Sequence, residues 1–304
     1  MTYSIAAHDG EAGTLGVAVQ SHYFSVGSMV PWVEGGVGAV ATQAMADTRY
    51  GWRGLSILRQ GADPRSALAA LVAEDEGSAH RQVGMVDASG RVAAHTGDRC
   101  IPHADHASGD GFTVQANMML RDTVCPAMVH AFTTTPGDLA ERLLATLNAA
   151  EAEGGDIRGR QSAALVIVTP PSQDGTIGPK RMQLQVDDSP EPLQELARLL
   201  RTHRAYAAAD QSEQLSISGD LEGASRAMDE AARLAPGNDE ILFFKGLLLV
   251  ISGNPDGQSV LRELVGRNQM WAELARRLMV TGLFPNDLAL FGSILGPDME
   301  DPPG

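Results

Sequence analysis

The sequence predicts an α+β fold in which two mostly antiparallel β-sheets lie between two helical layers, in the order αββα, and a small all-α domain follows. Two observations predict this fold. Through residue 205, runs of β-rich segments alternate with pairs of helical segments, unlike the regular βαβα alternation of a doubly wound sheet. From residue 206 onward the pattern is helical throughout. We therefore expect one domain at 1–205 and a second at 206–304.

The first elements form a hairpin and a buried strand. Two β-rich segments, 3–7 and 14–19, flank a Gly-rich turn, which predicts a hairpin at the very start of the chain. The apolar run 37–41 is continuous enough for a strand buried on both faces. Helices are expected next at 51–60 and 64–74, the second with Asp63 as its N-cap and a proline at its first position.

The rest of the first domain repeats this alternation. A second hairpin pairs 82–86 with 91–96 around a turn at 87–90. The remaining elements, in chain order, are a strand at 111–117, helices at 122–132 and 138–153, strands at 162–168 and 182–186, and a helix at 190–204.

The last 99 residues carry a repeat-like pattern. Small residues and a closing proline recur at intervals of 5, 7 and 5 that resemble a tetratricopeptide repeat: Gly219, Ala224, Ala231 and Pro236. Gly246 and Gly253 resemble the first helix of a second repeat, but Pro255 stands where a helix former is expected. Because a solenoid normally needs three repeats, we expect these helices to pack on the first domain, on a second copy of the chain, or on a protein partner.

Composition excludes several classes of function. The 304 residues, 43% of them hydrophobic, can bury a full core, and the net charge of -15 argues against a nucleic-acid partner. No apolar stretch is long enough for a membrane helix and no signal peptide is recognisable, so we expect a cytoplasmic protein without a membrane partner. Cys100 and Cys125 are expected to be thiols.

The start of the chain is the most informative position. Methionine is followed by Thr2 and at once by a predicted strand, and threonine is small enough for the methionine to be removed. Thr2 would then carry an α-amine and a hydroxyl on one residue. An α-amine has a pKa of about 7.7 to 8.0, so near pH 7 part of it can accept the hydroxyl proton. The alternative is that Thr2 has no catalytic meaning, as in many proteins that begin in this way.

Several polar residues at strand ends are candidates for the same site. Ser21 and His22 end the second strand, close to Thr2 if the hairpin pairs simply, and at most one of them faces Thr2 because neighbours alternate. Asn117 ends the strand 111–117, and Gln115 shares its face. We expect Ser21, His22 and Gln115 to line a substrate site, with Thr42 and Gln43 as weaker candidates.

A Gly-rich loop before the strand 162–168 carries one carboxylate and two guanidiniums. Arginine binds carboxylates in a bidentate geometry, so Arg158 or Arg160 can anchor an acidic substrate. Asp156 can orient the amine of Thr2. The alternative is an ion pair within the loop that orders the turn.

Histidines suggest a metal only weakly. His95, His103, Asp105 and His106 are the one cluster of ligand types, but their spacing matches no known closed site. An α-amine activates the nucleophile without a metal, so we expect neither a metal nor a cofactor.

Several separated strings identify a family resemblance: MTYSIAAHD, VPWVEGGVGAVATQ, RQVGMVDASGRVAAHTG, CIPHADH, QANMM and GGDIRGRQSAAL. With them, residues 1–205 resemble a bacterial family of unknown function that is grouped with the N-terminal-nucleophile (Ntn) hydrolases. The resemblance implies an αββα fold and Thr2 as nucleophile. It also implies that the Asn117 amide, with a backbone N–H, stabilises the oxyanion. Without the resemblance, a strand-end asparagine is as often a turn cap.

Two functions follow as hypotheses. The first is an Ntn-type hydrolase of a small, carboxylate-bearing amide or ureido compound, with Thr2, Asn117 and Asp156 as catalytic residues. The second is a catalytically silent binding protein on the same fold, whose helical C-terminal domain recruits a partner. In both cases we expect a homo-oligomer.

Overall fold

The computed structural model describes residues 2–172, 174, 176 and 178–280, with side chains to residue 278 in the last of these ranges. The chain divides into two compact units, 1–199 and 200–304. The division falls inside one long helix, and the boundary predicted at 205 lies in that same helix.

The first unit contains two antiparallel sheets. In the described residues the strands are β1 (Thr2–Asp9), β2 (Thr14–Ser21), β3 (Pro31–Glu34), β4 (Gly38–Ala44), β5 (Arg81–Asp87), β6 (Val92–Thr96), β7 (Asp105–Gly109), β8 (Phe112–Asn117), β9 (Ser162–Val168) and β10 (Arg181–Val186). The six-stranded sheet has the order β10-β9-β2-β1-β8-β7, and the four-stranded sheet has the order β3-β4-β5-β6. All neighbouring strands are antiparallel.

Helices cover the outer faces of the two sheets. The first unit contains α1 (Arg49–Arg59), α2 (Pro64–Glu74), α3 (Val124–Thr134), α4 (Leu139–Ala152) and the start of α5 (Pro192–Ser218). Helices α1 and α2 pack on the four-stranded sheet, and α3 and α4 pack on the six-stranded sheet. Buried aliphatic side chains from both sheets fill the space between them. The packed layers therefore run helices, sheet, sheet, helices. The mixed α and β content and the antiparallel sheets are as the sequence predicts.

Local sequence explains where helices begin. Asp63 accepts hydrogen bonds from the backbone N–H groups of Arg65 and Ser66, which makes it the predicted N-cap of α2. Asp138 and Glu141 form a reciprocal capping box at the start of α4.

Two strands were not predicted. The strand β3 has only four residues and begins with Pro31, which is tolerated because β3 is an edge strand. The strand β7, with the sequence DHASG, is an edge strand of the larger sheet. Both are short edge strands, and neither PWVE nor DHASG shows an alternating apolar pattern, so the sequence did not reveal them.

The strand β1 lies in the interior of the larger sheet, between β2 and β8. Its side chains alternate between the two faces. The Tyr3 hydroxyl donates to Glu151 of α4 at 2.6 Å, on the helical face. The Ser4 hydroxyl donates to Gln43 of β4 at 2.6 Å, on the face toward the other sheet. By this alternation the Thr2 side chain also lies on the face toward the other sheet.

The second unit is helical in its described residues. After α5 it contains α6 (Leu221–Leu234), α7 (Asp239–Ile251), α8 (Asp256–Arg267) and α9 (Met270–Val280). Consecutive helices from α6 to α9 pack on each other. Pro255, which was predicted to weaken the second repeat, stands directly before α8. None of the described helices is long and apolar enough to span a membrane.

Candidate functional site

Polar strand ends converge at one end of the two sheets. The strand β1 begins there with Thr2, which is in register with Ser21 at the end of β2 and with Asn117 at the end of β8. From the other sheet, β4 brings Gln43 and β5 brings Gln82, which are also in register with each other. Four strands thus place one polar residue each around Thr2.

Thr2 is held by buried side chains. It is 4% exposed in the 304-residue chain, and its hydroxyl donates to the Ser21 hydroxyl at 3.0 Å. Its carbonyl oxygen accepts from Gln43 Nε2 at 3.1 Å and from Asn117 Nδ2 at 3.3 Å. The first residues of a chain usually fray unless they are tied down. Met1, on whose removal the N-terminal-nucleophile prediction depends, lies outside the described residues.

A buried amide network connects the two sheets at this point. Gln82 Oε1 accepts from Gln43 Nε2 at 2.7 Å and from Asn117 Nδ2 at 2.9 Å. Gln82 Nε2 lies 2.9 Å from the Ala116 carbonyl oxygen and 3.0 Å from the Thr96 hydroxyl. Because an unpaired buried amide costs about 1–3 kcal/mol, each of these bonds favours one relative position of the sheets.

Asn117 uses both of its side-chain N–H groups within this network. One bonds the Thr2 carbonyl oxygen and the other bonds Gln82 Oε1. In this geometry Asn117 positions Thr2. The oxyanion role stays a prediction, and it requires Asn117 to release one of these two acceptors.

Gln115 lies between the two sheets. It is fully buried between the sheets, and its Nε2 donates to the Ser4 hydroxyl at 2.7 Å. Gly84 of the other sheet makes room for the Gln115 side chain, because a Cβ atom at residue 84 would lie 2.2 Å from Gln115 Oε1. In this structure Gln115 bonds within the interface between the sheets, and its substrate-binding role stays a prediction.

Asp156 brings a buried carboxylate to the same end of the sheet. Its side chain is fully buried, and Oδ2 accepts from the His22 backbone N–H at 3.1 Å. The Asp156 backbone forms a β-bridge with Met119, just beyond β8. The residue therefore spans the ends of β2 and β8, between which β1 begins with Thr2.

Each loop arginine already has a carboxylate partner. Arg158 Nη2 lies 2.9 Å from Asp156 Oδ2, which is the ion pair within the loop that the sequence left open. Arg160 Nε lies 2.8 Å from Glu151 Oε1, and Arg160 also contacts Glu191. The alternative of an ion pair within the loop is therefore present for Arg158, and the predicted contact of Arg158 or Arg160 with a substrate carboxylate stays a prediction.

Of Ser21 and His22, it is Ser21, the last residue of β2, that faces Thr2, and His22 lies just beyond the strand. His22 contributes its backbone N–H to Asp156, and its half-buried ring has Nδ1 3.2 Å from the Arg160 carbonyl oxygen. His22 therefore supports the loop that carries Asp156.

A cavity of about 610 Å³ lies beside Asn117. Ala116 and Met119, on either side of Asn117 and Met118, belong to its wall. The other residues that line it are Thr96, Gly97, Asp98, Cys100, Pro102, His103, Ala104, Asp105, His106, Arg121, Asp122, Val124 and Cys125. Sequence reasoning missed this cavity because its walls come from segments that meet only in the folded chain.

Hydrogen bonds connect this cavity to Thr2. His106 Nδ1 lies 2.9 Å from the Thr96 hydroxyl, which accepts from Gln82 Nε2. Gln82 in turn bonds Asn117, which bonds the Thr2 carbonyl. Burial lowers the pKa of His106, so its ring is neutral near pH 7.

The histidine cluster does not form a metal site in the described part of the chain, where no three His, Cys, Asp or Glu side chains are placed to hold an ion. His103 and His106 line the cavity, whereas His95 Nε2 lies 2.9 Å from the Ser78 carbonyl oxygen.

Exposed apolar side chains surround this end of the sheets. Six large ones lie within five residues of the strand ends that meet here: Tyr23, Phe24, Met45, Ile101, Leu120 and Ile157. We call them the apolar rim. Among the described residues of the first unit, one other large hydrophobic side chain is exposed, Trp52 on α1. Clustered exposed apolar surface is typical of binding sites.

Comparisons with known proteins match the first unit. The model of a family of unknown function, DUF1028, matches residues 2–196. The crystal structure of protein SPO2555 from Silicibacter pomeroyi, assigned to the same family, is similar with a TM-score of 0.60 and 31% sequence identity. That similarity covers 66% of this chain and 88% of the other. No curated protein matches the sequence.

Proposed function

The chain belongs to the DUF1028 family, and we propose that it is an amide hydrolase of the N-terminal-nucleophile type with Thr2 as its nucleophile. One observation carries the proposal. The hydroxyl and the carbonyl of Thr2 are held by buried side chains from three other strands, namely Ser21, Gln43 and Asn117. These bonds hold Thr2 in one orientation, as an attacking nucleophile requires.

The reaction follows from placing an α-amine and a hydroxyl on Thr2. The hydroxyl oxygen attacks the carbonyl carbon of the amide while the α-amine takes the hydroxyl proton. The tetrahedral intermediate then breaks its C–N bond, and the leaving amine departs with that proton. An ester on Thr2 remains, and water hydrolyses it to free the acid and restore the hydroxyl.

Asp156 serves as a positioning residue in this proposal. Its buried carboxylate lies where β1 begins, so it can hold the α-amine of Thr2. A carboxylate alone would favour the protonated amine, which cannot act as a base. Arg158, paired with the same carboxylate, offsets that effect.

The Ntn grouping is part of the proposal, and two features support it. The packed layers run helices, sheet, sheet, helices, which is the arrangement that the family resemblance implies. The proposed nucleophile also begins a central strand. The substrate is a small amide or ureido compound, and the pairing of Arg158 and Arg160 removes the reason for expecting a carboxylate on it.

A catalytically silent binding protein is the second candidate, and one observation favours it. The large cavity lies beside Asn117, whereas Thr2 itself is 4% exposed. Under this second hypothesis the helical unit is a tetratricopeptide-like module that recruits a partner. The close packing of α7 on α8 supports such a module, because a Cβ atom at Gly246 would lie 2.8 Å from Leu261.

A trapped ester separates the two candidates. The protein, with its first residue identified by mass spectrometry, is mixed with a panel of amides and ureido compounds and quenched in acid. The hydrolase predicts an acyl group on Thr2 and release of amine or ammonia. Binding without any release or adduct across the panel favours the second candidate.

A further inference from the structure

The cavity beside Asn117 is within reach of a molecule bound at Thr2. Asn117 is in register with Thr2, and Ala116 and Met119 of the cavity wall stand next to Asn117 and Met118. Neighbouring strands are about 4.8 Å apart. Ala116 is paired with Tyr3, whose side chain lies on the helical face, so a molecule that occupies both the cavity and the Thr2 side of the sheet passes around the end of β8.

The inner wall of the cavity is apolar. Ala116, Met119, Val124 and Cys125 are each at most 2% exposed, and all four line the cavity. Burial, with the nearby Asp105 carboxylate, raises the pKa of Cys125 to about 12, so this side chain is an uncharged thiol near pH 7. The volume of about 610 Å³ lies within the range of about 300–1,000 Å³ that is usual for small-molecule sites.

The exposed margin of the cavity is acidic. Asp98, Asp105 and Asp122 line it, against one arginine, Arg121. The Arg121 guanidinium lies 3.8 Å from the Glu153 carboxylate, which offsets its charge. A negatively charged ligand would therefore meet like charge at the entrance.

We propose that the substrate is an amide with an apolar acyl group and no carboxylate, and that the cavity beside Asn117 binds that acyl group. This proposal rests on the proposed hydrolase function. The apolar rim extends the apolar surface around the same end of the sheets. Both features oppose the carboxylate-bearing substrate that the sequence suggested.

The test compares three 4-nitroanilides that share one leaving group. Hexanoyl-4-nitroanilide is apolar, glutaryl-4-nitroanilide is of similar length with a terminal carboxylate, and acetyl-4-nitroanilide is short. We expect kcat/KM for the hexanoyl compound to exceed both others by at least about 10-fold, since single methylenes already give that order of discrimination. A glutaryl or acetyl compound hydrolysed as well as the hexanoyl compound would overturn the inference.

Two kinds of variant locate the effect in the cavity. Ala104→Phe places a ring at a residue that lines the cavity and should lower the preference for hexanoyl over acetyl. The double variant Asp98→Asn and Asp122→Asn should raise kcat/KM for the glutaryl compound several-fold.

Asp110→Asn is the matched control for the two aspartate replacements, because Asp110 is an exposed aspartate in the turn between β7 and β8, at the other end of the sheet. An equal change in the control would overturn the assignment to the cavity.

A binding measurement separates failure of this inference from failure of the proposed function. Calorimetry on Thr2→Ala compares hexananilide with glutaranilic acid. If no anilide is hydrolysed but hexananilide binds at least about 10-fold tighter, the cavity assignment stands and the hydrolase is wrong. If anilides are hydrolysed but glutaranilic acid binds as tightly, the hydrolase stands and this inference is wrong. Absence of both binding and hydrolysis overturns both.

Discussion

The hydroxyl of Thr2 donates a hydrogen bond to the hydroxyl of Ser21 at 3.0 Å, across the pairing of β1 with β2. Both side chains are buried. The bond fixes the direction of the Thr2 hydroxyl within a sheet whose backbone is already in register. A proposed nucleophile is thus oriented by a neighbouring strand and not by a loop.

Replacement of Ser21 tests this orientation. Ser21→Ala removes the acceptor of the Thr2 hydroxyl, so we expect kcat to fall about 10-fold with little change in KM, because orientation acts mainly on the reacting state. Steady-state kinetics on any substrate found to be hydrolysed measure both values. Ser108→Ala, at an exposed serine of β7, is the control. An unchanged kcat for Ser21→Ala contradicts the role of this bond.

Replacement of Asn117 distinguishes positioning from oxyanion stabilisation. Asn117→Ala removes the bonds to the Thr2 carbonyl and to Gln82, both buried, so we expect the free energy of unfolding to fall by about 1–3 kcal/mol together with kcat. Urea unfolding and kinetics measure the two effects. A loss of about 10² to 10³ in kcat without any loss of stability would instead support the oxyanion role. The exposed Asn148 on α4 supplies the control, Asn148→Ala.

Acid stability depends on Asp75. A hydrogen bond from Arg81 is the largest of several contacts that lower the pKa of Asp75 from 3.8 to about 2. A folded-state pKa below the unfolded one stabilises the fold above about pH 4, and that contribution is lost as the pH falls toward 2. Asp75→Asn should therefore destabilise the protein at pH 7 and reduce the further loss between pH 4 and pH 2. Urea unfolding across this range measures the loss, and the same slope as the parent protein contradicts the prediction.

The first unit is expected to fold without the second. Its core and both sheets lie within 1–199, and α5 ends at Ser218. A chain that ends at residue 218 should keep the circular-dichroism spectrum of a mixed α and β protein and melt cooperatively. A truncated chain that is unfolded at 25 °C would show that the two units fold together.

The sequence predicted most elements of the fold because their signals are local. Asp63 before a proline determines the start of α2, and the Gly-rich turns determine where neighbouring β-rich segments end; each signal concerns only a few adjacent residues. The edge strands β3 and β7 also adjoin Gly-rich turns, but they have only four and five residues and no alternating apolar pattern, so the sequence did not reveal them. Pro255, which interrupts the repeat-like pattern, stands directly before α8, where a proline is tolerated.

The candidate site was predicted only in part, because its remaining features depend on contacts between distant segments. Gln82 was missed, although a glutamine at an inward position of an apolar strand is a usable signal for a buried polar network. The partners of Arg160 are Glu151 and Glu191, and the sequence alone does not pair them. Thr2 and Ser21 were expected together because the first hairpin pairs them, whereas Asn117 was a candidate as a strand-end asparagine and through the family resemblance. Strand β8 brings Asn117 into register with Thr2.

The most direct test of the central claim compares one protein before and after its N-terminus is freed. A fusion that carries a cleavable segment ahead of Thr2 keeps the hydroxyl but holds the amine in a peptide bond, which cannot act as a base near pH 7. Cleavage that leaves Thr2 as the first residue, verified by mass spectrometry, should turn an inactive protein into one that releases amine from its amide substrate. Equal hydrolysis by the cleaved and the uncleaved fusion would contradict the account, because the base would then lie elsewhere and Thr2 would be only the first residue of a strand.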